Sequence, residues 1–390
     1  MPATDGSGQR VSLKARRHSN RSMKVLAFAS YPVQAAATRY RLEQFVGPLS
    51  ERGITLTVRP FLDERLFERF YQRENIPRNV IGLLKSTLLR FMDLSSARRA
   101  DVVLVQREAM MFGPPLIEWL TTGVYSRPMV LDLDDATYVP YTSPTYGKLG
   151  KALKWFSKTD DLIRWATIVT CGNRSIAEYV SSKGAEARVI PTVVDTDVFH
   201  PEQRNRSSDD LVMGWIGTHS TFPYLESLFP LLAELAAHYQ FRLKIIGAGK
   251  REISIPGVEV ENLDWTLDRE VRDFQSFDVG LYPIDASLYA GEWAAGKSGF
   301  KSIQYMAVGI PYVATPVGAI KEIGEVGITH FCATTECEWR QALEALICDR
   351  EKRERMGAAG RNHAVEHYGL AAQADKLAGA LRDAAEVASR

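Results

Sequence analysis

Short, nearly unbroken apolar runs alternate with segments of helical period along this chain, and the alternation occurs twice. Residues 24–30 (KVLAFAS), 54–60, 101–106 (DVVLVQ), 129–134 (MVLDLD) and 167–171 (TIVTC) form the first series. Residues 211–217 (LVMGWIG), 242–246, 277–281 and 312–315 form the second. A strand that is apolar throughout must be covered on both faces, so each series predicts a parallel sheet between layers of helix. Residues 38–53 place Leu42, Phe45, Val46 and Leu49 on one helical face and stop at Gly53. Asn173 is a good N-cap for a helix to about residue 183. Further helices are predicted over 221–238, 299–308, 338–347, 351–357 and 370–387.

Between the two series, residues 189–201 (VIPTVVDTDVFHP) hold two prolines and no helical period, which reads as a linker. The expected division is a disordered basic tail over 1–22, a first Rossmann-like domain over 23–190 and a linker over 191–201. A second Rossmann-like domain follows over 202–369, then a terminal helix over 370–390. The tail sets Arg10, Lys14, Arg16, Arg17 and Arg21 against Asp5 and contains little to bury. A length of 390 residues suits two domains of about 100–200 residues each. Ligands of such sheets bind outside the carboxyl ends of the strands.

Composition excludes several classes. Apolar residues at 45% and charged residues at 24% rule out wholesale disorder and a fibrous repeat. A net charge of +1 argues against a general nucleic-acid coat protein. No apolar run reaches the ~18 residues of a membrane span, and no signal-type core follows Met1. Cys171, Cys332, Cys337 and Cys348 form no C-x-x-C pair, which predicts reduced thiols in a cytoplasmic protein and no zinc site. His363 and His367 are four apart on a predicted helix without a clearly placed carboxylate, and read as a solvated face or a helix-end charge.

One region breaks the alternation. Residues 65–99 are long and helical, with Leu83, Leu84, Leu88, Leu89, Phe91 and Met92 beside Lys85 and Arg90. Lys148, Lys151, Lys154 and Lys158 accompany Leu149, Leu153, Trp155 and Phe156. Two readings stand: a core-facing stripe with a solvated back, or a surface for an anionic membrane.

The stretch most informative about chemistry is residues 296–318, GKSGFKSIQYMAVGIPYVATPVG. A small-residue loop opens a helix, and Ser298 is expected to cap it. Helix N-termini attract anions, and Lys297, Lys301 and Gln304 are spaced to lie near one face. Ile303, Met306 and Ala307 take the core face, and Gly309 ends the helix. Two lysines over a helix N-terminus suit a diphosphate; an ordinary amphipathic helix with solvated lysines is the plainer alternative.

This stretch resembles the nucleotide-sugar signature of the family-4, group 1 glycosyltransferases, Ser-Pro-Leu-Lys-Leu-Phe-Glu-Tyr-Met-Ala-x-Gly-x-Pro-Val-Val-Ala. Ser298, Lys301, Tyr305, Met306, Ala307, Gly309, Pro311, Val313 and Ala314 match in register. Residues 166–201, 212–217 and 263–283 resemble flanking parts of the same family, so the likeness runs from about residue 23 to the end. It implies an α/β chain of GT-B architecture, two Rossmann-like domains facing across a cleft, with the terminal helix crossing back to the first. It also implies retaining, metal-independent transfer of a sugar from a nucleoside diphosphate sugar, bound by the second domain, to an acceptor hydroxyl on the first. Surface polysaccharide, glycolipid or glycoconjugate synthesis would be the setting. The enzyme would work in the cytoplasm, at the inner face of the membrane, and need no cofactor or nucleic acid. Its partners would be the nucleotide sugar and a sugar, lipid-linked or small-molecule acceptor.

Carried over by position, Lys301 neutralises the donor phosphates with Lys297 as helper, and the turn at Gly217, Thr218 and His219 approaches the diphosphate. Ser298, Phe300 and Gln304 complete the donor side. The family's E-x7-E pair departs here: its first glutamate falls on Gly296 and its second, the ribose ligand, on Gln304. Glu292 is a stand-in for the first. Thr218–Glu226 lacks the cation usual after the Gly-rich turn, which puts more weight on the two lysines. In the first domain, Asp132, Asp134 and Asp135 end a strand. Asp134 or Asp135 would orient the acceptor hydroxyl; loop capping and a D-x-D metal site are the other readings. Arg39 and Arg41 are expected on the acceptor side or in helix-start salt bridges. The loss of both glutamates keeps two alternatives open: an epimerase or hydrolase on the same fold, and a catalytically weak sugar- or nucleotide-binding protein.

Overall fold

In the computed structural model, which describes residues 22–140, 145–202, 211–284 and 295–387, the apolar runs become two parallel six-stranded sheets. The first contains β1 (Met23–Ala29), β2 (Ile54–Pro60), β3 (Val102–Gln106), β4 (Met129–Leu133), β5 (Ile168–Cys171) and β6 (Ala187–Val189). Its order is β2-β1-β3-β4-β5-β6. The second contains β7 (Leu211–Ile216), β8 (Phe241–Ile246), β9 (Glu259–Leu263), β10 (Val279–Tyr282), β11 (Tyr312–Ala314) and β12 (Phe331–Cys332). Its order is β12-β11-β10-β7-β8-β9. Every residue of β3, β4, β5 and β7 is buried, as strands covered on both faces must be. The edge strands β6, β9 and β12 escape sequence reading because they are short or polar.

Each sheet reverses its winding once, between β1 and β3 and between β7 and β10. Such switch points leave a crevice at the carboxyl ends of the neighbouring strands. The carboxyl ends of the two sheets face each other across the interdomain seam, as the contacts described below require.

Helix packing follows the apolar faces. Leu42, Phe45 and Leu49 close one face of the first sheet together with Ala374, Leu377, Ala378, Leu381 and Ala384 of the C-terminal helix Leu370–Val387. Arg52 bonds Asp375 at 2.6 Å and Arg188 bonds Asp383 at 2.6 Å, so that helix, last in sequence, is fastened to the first domain.

Four helices differ from expectation. The run over 38–53 is broken into Ala36–Arg41, a tighter turn Glu43–Phe45 and Val46–Glu51. The run over 65–99 is broken into Glu64–Phe70 and Ile76–Ala97. The single helix expected over 221–238 is two, Phe222–Glu226 and Phe229–Ala236, each with proline in its first turn. Pro230 supplies no N–H to the preceding turn and suits a new helix start. Helix Arg350–Tyr368 runs on past Gly357, where the sequence reading ended it. Gly357 is there for close approach: a Cβ would lie 2.1 Å from the Gly309 carbonyl oxygen.

Candidate functional site

The helix Phe300–Ala307 follows β10 and buries Ile303, Met306 and Ala307 fully, as its period predicts. Its start corrects one expectation. Ser298 does not cap it; the N-cap is Gly299, at φ 64°, and no side chain bonds the first turn. A Cβ at Gly299 would also meet Ile323 at 2.5 Å. An uncapped first turn leaves backbone N–H groups to be met by a ligand or solvent.

Two lysines stand at this end. Lys297 Nζ lies 3.3 Å from Asp135 of the first domain. Burial lowers its pKa, and the Asp135 carboxylate works against that. Lys301 reaches over the Tyr282 ring at 5.3 Å and, among the described residues, has no hydrogen-bond or ion-pair partner. Burial, and then the neighbouring Lys297 cation, push it down to about 8. An anion placed between the two lysines relieves both penalties.

The turn after β7 borders the same crevice. Gly217 admits no side chain, because a Cβ would strike the Trp215 ring at 2.2 Å. Thr218 and His219 are exposed; Thr218 is bonded within the turn to Ser220 and Thr221.

Across the seam, the three aspartates of 132–135 part ways. Asp132 is buried against the Arg41 guanidinium, which binds both its oxygens, and it accepts a 2.6 Å bond from Thr170. Arg41 also donates to the Ile190 carbonyl at 2.6 Å. This pair fastens β4 to the helix Ala36–Arg41 and to the linker, so neither Arg41 nor Asp132 has charge to offer an acceptor. Of the two readings of Arg41, the salt bridge is the one present, and Asp132 is its partner. Asp134 is held by Arg107 through two bonds of 2.6 and 2.7 Å. Burial alone would raise its carboxyl pKa, but the Arg107 guanidinium, with smaller help from Arg41 and a backbone N–H, holds it low. Arg107 has φ 62°, a conformation that costs a non-glycine residue energy and turns its side chain to Asp134. Asp135 is the partly exposed one and faces Lys297. Among the described residues, no three His, Cys, Asp or Glu side chains gather as metal ligands.

Arg39 does not stay on the acceptor side. It bonds Glu270 of the second domain at 3.0 Å and lies 5.0 Å from the Trp265 ring centre. Tyr40 donates to the same Glu270 oxygen at 2.8 Å and packs on Phe300, ring centres 4.6 Å apart. The other Glu270 oxygen accepts from Gln304 Nε2 at 3.4 Å. Glu270, Arg107 and Asn173 were all missed as site residues. Asn173 was read only as a cap, which it is; its amide also donates to the Gly296 and Lys297 carbonyls at 3.0 and 3.1 Å. Glu292 lies outside the described residues.

Residues 212–349 match the model of the family described as Glycosyl transferases group 1. The match falls on the second domain, the one that carries the helix Phe300–Ala307. No match was found among curated proteins. In three dimensions the chain is similar to a glycosyltransferase from Rickettsia africae ESF-5, at TM-score 0.67 and 14% identity, covering 93% of this chain and 98% of that one. It is similar to the sucrose-phosphate synthase of Thermosynechococcus elongatus, at TM-score 0.64 and 14% identity, covering 93% and 99%. It is also similar to Anabaena HepE in complex with UDP-glucose, at TM-score 0.64 and 16% identity, covering 93% and 100%. The fold is GT-B, two Rossmann-like domains each built on a parallel sheet.

Proposed function

We propose that this glycosyltransferase moves a sugar from a nucleoside diphosphate sugar to an acceptor hydroxyl, with retention and without an essential metal. The observation that carries the reading is Lys301: a partly buried ammonium at an uncapped helix start, next to a second lysine and with no carboxylate partner among the described residues. A diphosphate supplies the missing negative charge. As the sugar–phosphate bond breaks, charge grows on the leaving diphosphate, and Lys301 and Lys297 stabilise it more than they stabilise the intact donor. Gly217 lets the backbone approach the phosphates, with Thr218 and His219 beside it and Ser298 and Phe300 at the helix mouth. Gln304 and Glu270 would hold the ribose hydroxyls. On the acceptor side, Asp135 orients the incoming hydroxyl, while Asp134, locked by Arg107, sets the shape of the loop.

The likeness to a complex of HepE with UDP-glucose supports a nucleotide sugar as donor. Two lysines where a divalent cation would otherwise offset diphosphate charge support independence from metal. The proposed setting is the cytoplasm, at the inner face of the membrane, in surface polysaccharide, glycolipid or glycoconjugate synthesis. In support, all four cysteines are unpaired and no helix among the described residues is long and apolar enough to cross a bilayer.

A thermal-shift panel of nucleotides and nucleotide sugars tests the donor class. A true donor at 100 times its dissociation constant adds about 2.7 kcal/mol of stability. Transfer should continue in EDTA. No shift with any nucleotide, or activity lost in EDTA and restored by manganese, would overturn the reading.

A further inference from the structure

The helix Ile76–Ala97 is turned inside out. The face packed on the first domain carries Asn79, Ser86 and Arg90 beside Leu94 and Ala97. The donors of Asn79 and Arg90 find partners inside. Asn79 donates to the Arg69 and Phe70 carbonyls, and Arg90 donates to the carbonyls of Ala29, Arg59 and Ala109. The opposite face is apolar and open: Ile81, Leu84, Leu88 and Met92 are 70%, 67%, 65% and 63% exposed. A globular helix normally presents the reverse arrangement. Arg90 had been expected on the outer, basic side; the need to satisfy strand-end carbonyls takes it inward.

We infer that this face docks on an anionic lipid bilayer and holds the enzyme beside a membrane-borne acceptor. Charge supports this occupant. Leaving out the buried Arg90, residues 64–99 contain seven Lys or Arg against four Asp or Glu. Arg78 and Lys85 are exposed on the helix itself. The surface continues onto the helix Gly147–Lys154, because Asn79 also donates to Tyr146 at 3.2 Å. There Lys148, Lys151, Leu153 and Trp155 are exposed, while Lys154 and Lys158 turn inward onto Glu108 and do not contribute. Pairing with a second copy through this face would set one net-positive patch against another of the same sign, whereas anionic headgroups complement it.

Position supports the acceptor. Arg90 ties the helix to the last residues of β1 and β2 and to the loop after β3, the edge that faces the second domain. A bilayer touching the outer face therefore lies beside the first domain's side of the seam. This part of the inference rests on the reading of that domain as the acceptor side.

Flotation of the full chain with vesicles of phosphatidylcholine and phosphatidylglycerol tests it. Binding should require the anionic lipid and weaken as salt rises, since exposed charges are screened beyond about 8–10 Å. The triple variant Ile81→Gln, Leu84→Gln, Leu88→Gln should abolish flotation with an unchanged melting temperature, because all three side chains already face solvent. Lys85→Glu should weaken partitioning by roughly 5-fold or more. Transfer to a soluble acceptor should be unchanged in both variants, so a failure of docking is distinguishable from a failure of the catalytic reading. Wild-type protein that stays unbound at low salt overturns the inference. So does a concentration-dependent dimer that the triple variant dissolves, which would make the face a protein interface.

Discussion

Gln304 Nε2 lies 3.4 Å from Oε1 of Glu270, so the amide that replaces a glutamate in the resembled signature is hydrogen-bonded to a glutamate from another helix. The carboxylate here comes from a residue 34 positions earlier in the chain. It also accepts from Arg39 and Tyr40 of the first domain, and so couples Gln304 to the interdomain seam.

The swap is testable. Glu270→Gln removes a charge-assisted hydrogen bond and should weaken donor binding by about 10-fold, from a contribution of about 1.5 kcal/mol. Gln304→Glu alone sets two carboxylates side by side and should not improve affinity at neutral pH, because like charges disfavour joint ionisation. The double variant should recover most of the loss. Calorimetric titration with the donor nucleotide measures all three, and a double variant no tighter than Glu270→Gln would count against the shared role.

Lys301→Ala should lower kcat by about 100- to 1,000-fold, the usual cost of one group that meets developing charge. Melting temperature should hold or rise, since a desolvated cation is removed. The pH dependence gives a second handle. Lys301 titrates at about 8 in the free protein. Bound diphosphate favours the charged form and raises that pKa, so binding takes up a proton above pH 8. Donor affinity should therefore be flat below pH 8 and fall above it, by up to about 10-fold per pH unit for one proton. Lys301→Arg stays charged and should flatten the profile. A flat wild-type profile from pH 7 to 9.5 would refute the assignment.

Asp135→Asn separates binding from turnover. It releases Lys297 from its cross-domain pair, and donor KM should fall about 2- to 5-fold, the worth of a partly exposed ion pair. The acceptor loses its orienting carboxylate, so kcat should fall as well. Initial rates over a grid of donor and acceptor concentrations resolve the two. An unchanged kcat would leave Asp135 as a partner of Lys297 alone.

Asp132→Asn should behave as a stability variant. It leaves the Arg41 guanidinium buried without its counter-ion, at a cost of about 3–5 kcal/mol. Urea denaturation should show that loss, and donor affinity in the surviving folded protein should be unchanged.

Sequence alone determined the layers of this protein. Runs such as VVLVQ and MVLDL have no polar face, and a strand of that kind is stable only inside a covered parallel sheet. The Asn173 cap and the buried face of the Phe300–Ala307 helix were legible for the same reason: each is a local rule about burial or an orphan N–H group. Tertiary structure alone decided which charges meet. Asp132, Asp134 and Asp135 lie within four residues, yet one is neutralised by Arg41, one by Arg107 and one by Lys297, from three separate segments. No periodicity encodes those pairings, because an ion pair is chosen by what the fold brings within a few ångströms. Helix Ile76–Ala97 shows the same limit from the other side. Its apolar stripe was plain in the sequence, but only the carbonyls waiting at the ends of β1 and β2 turned Arg90 inward and left Ile81, Leu84 and Leu88 facing out.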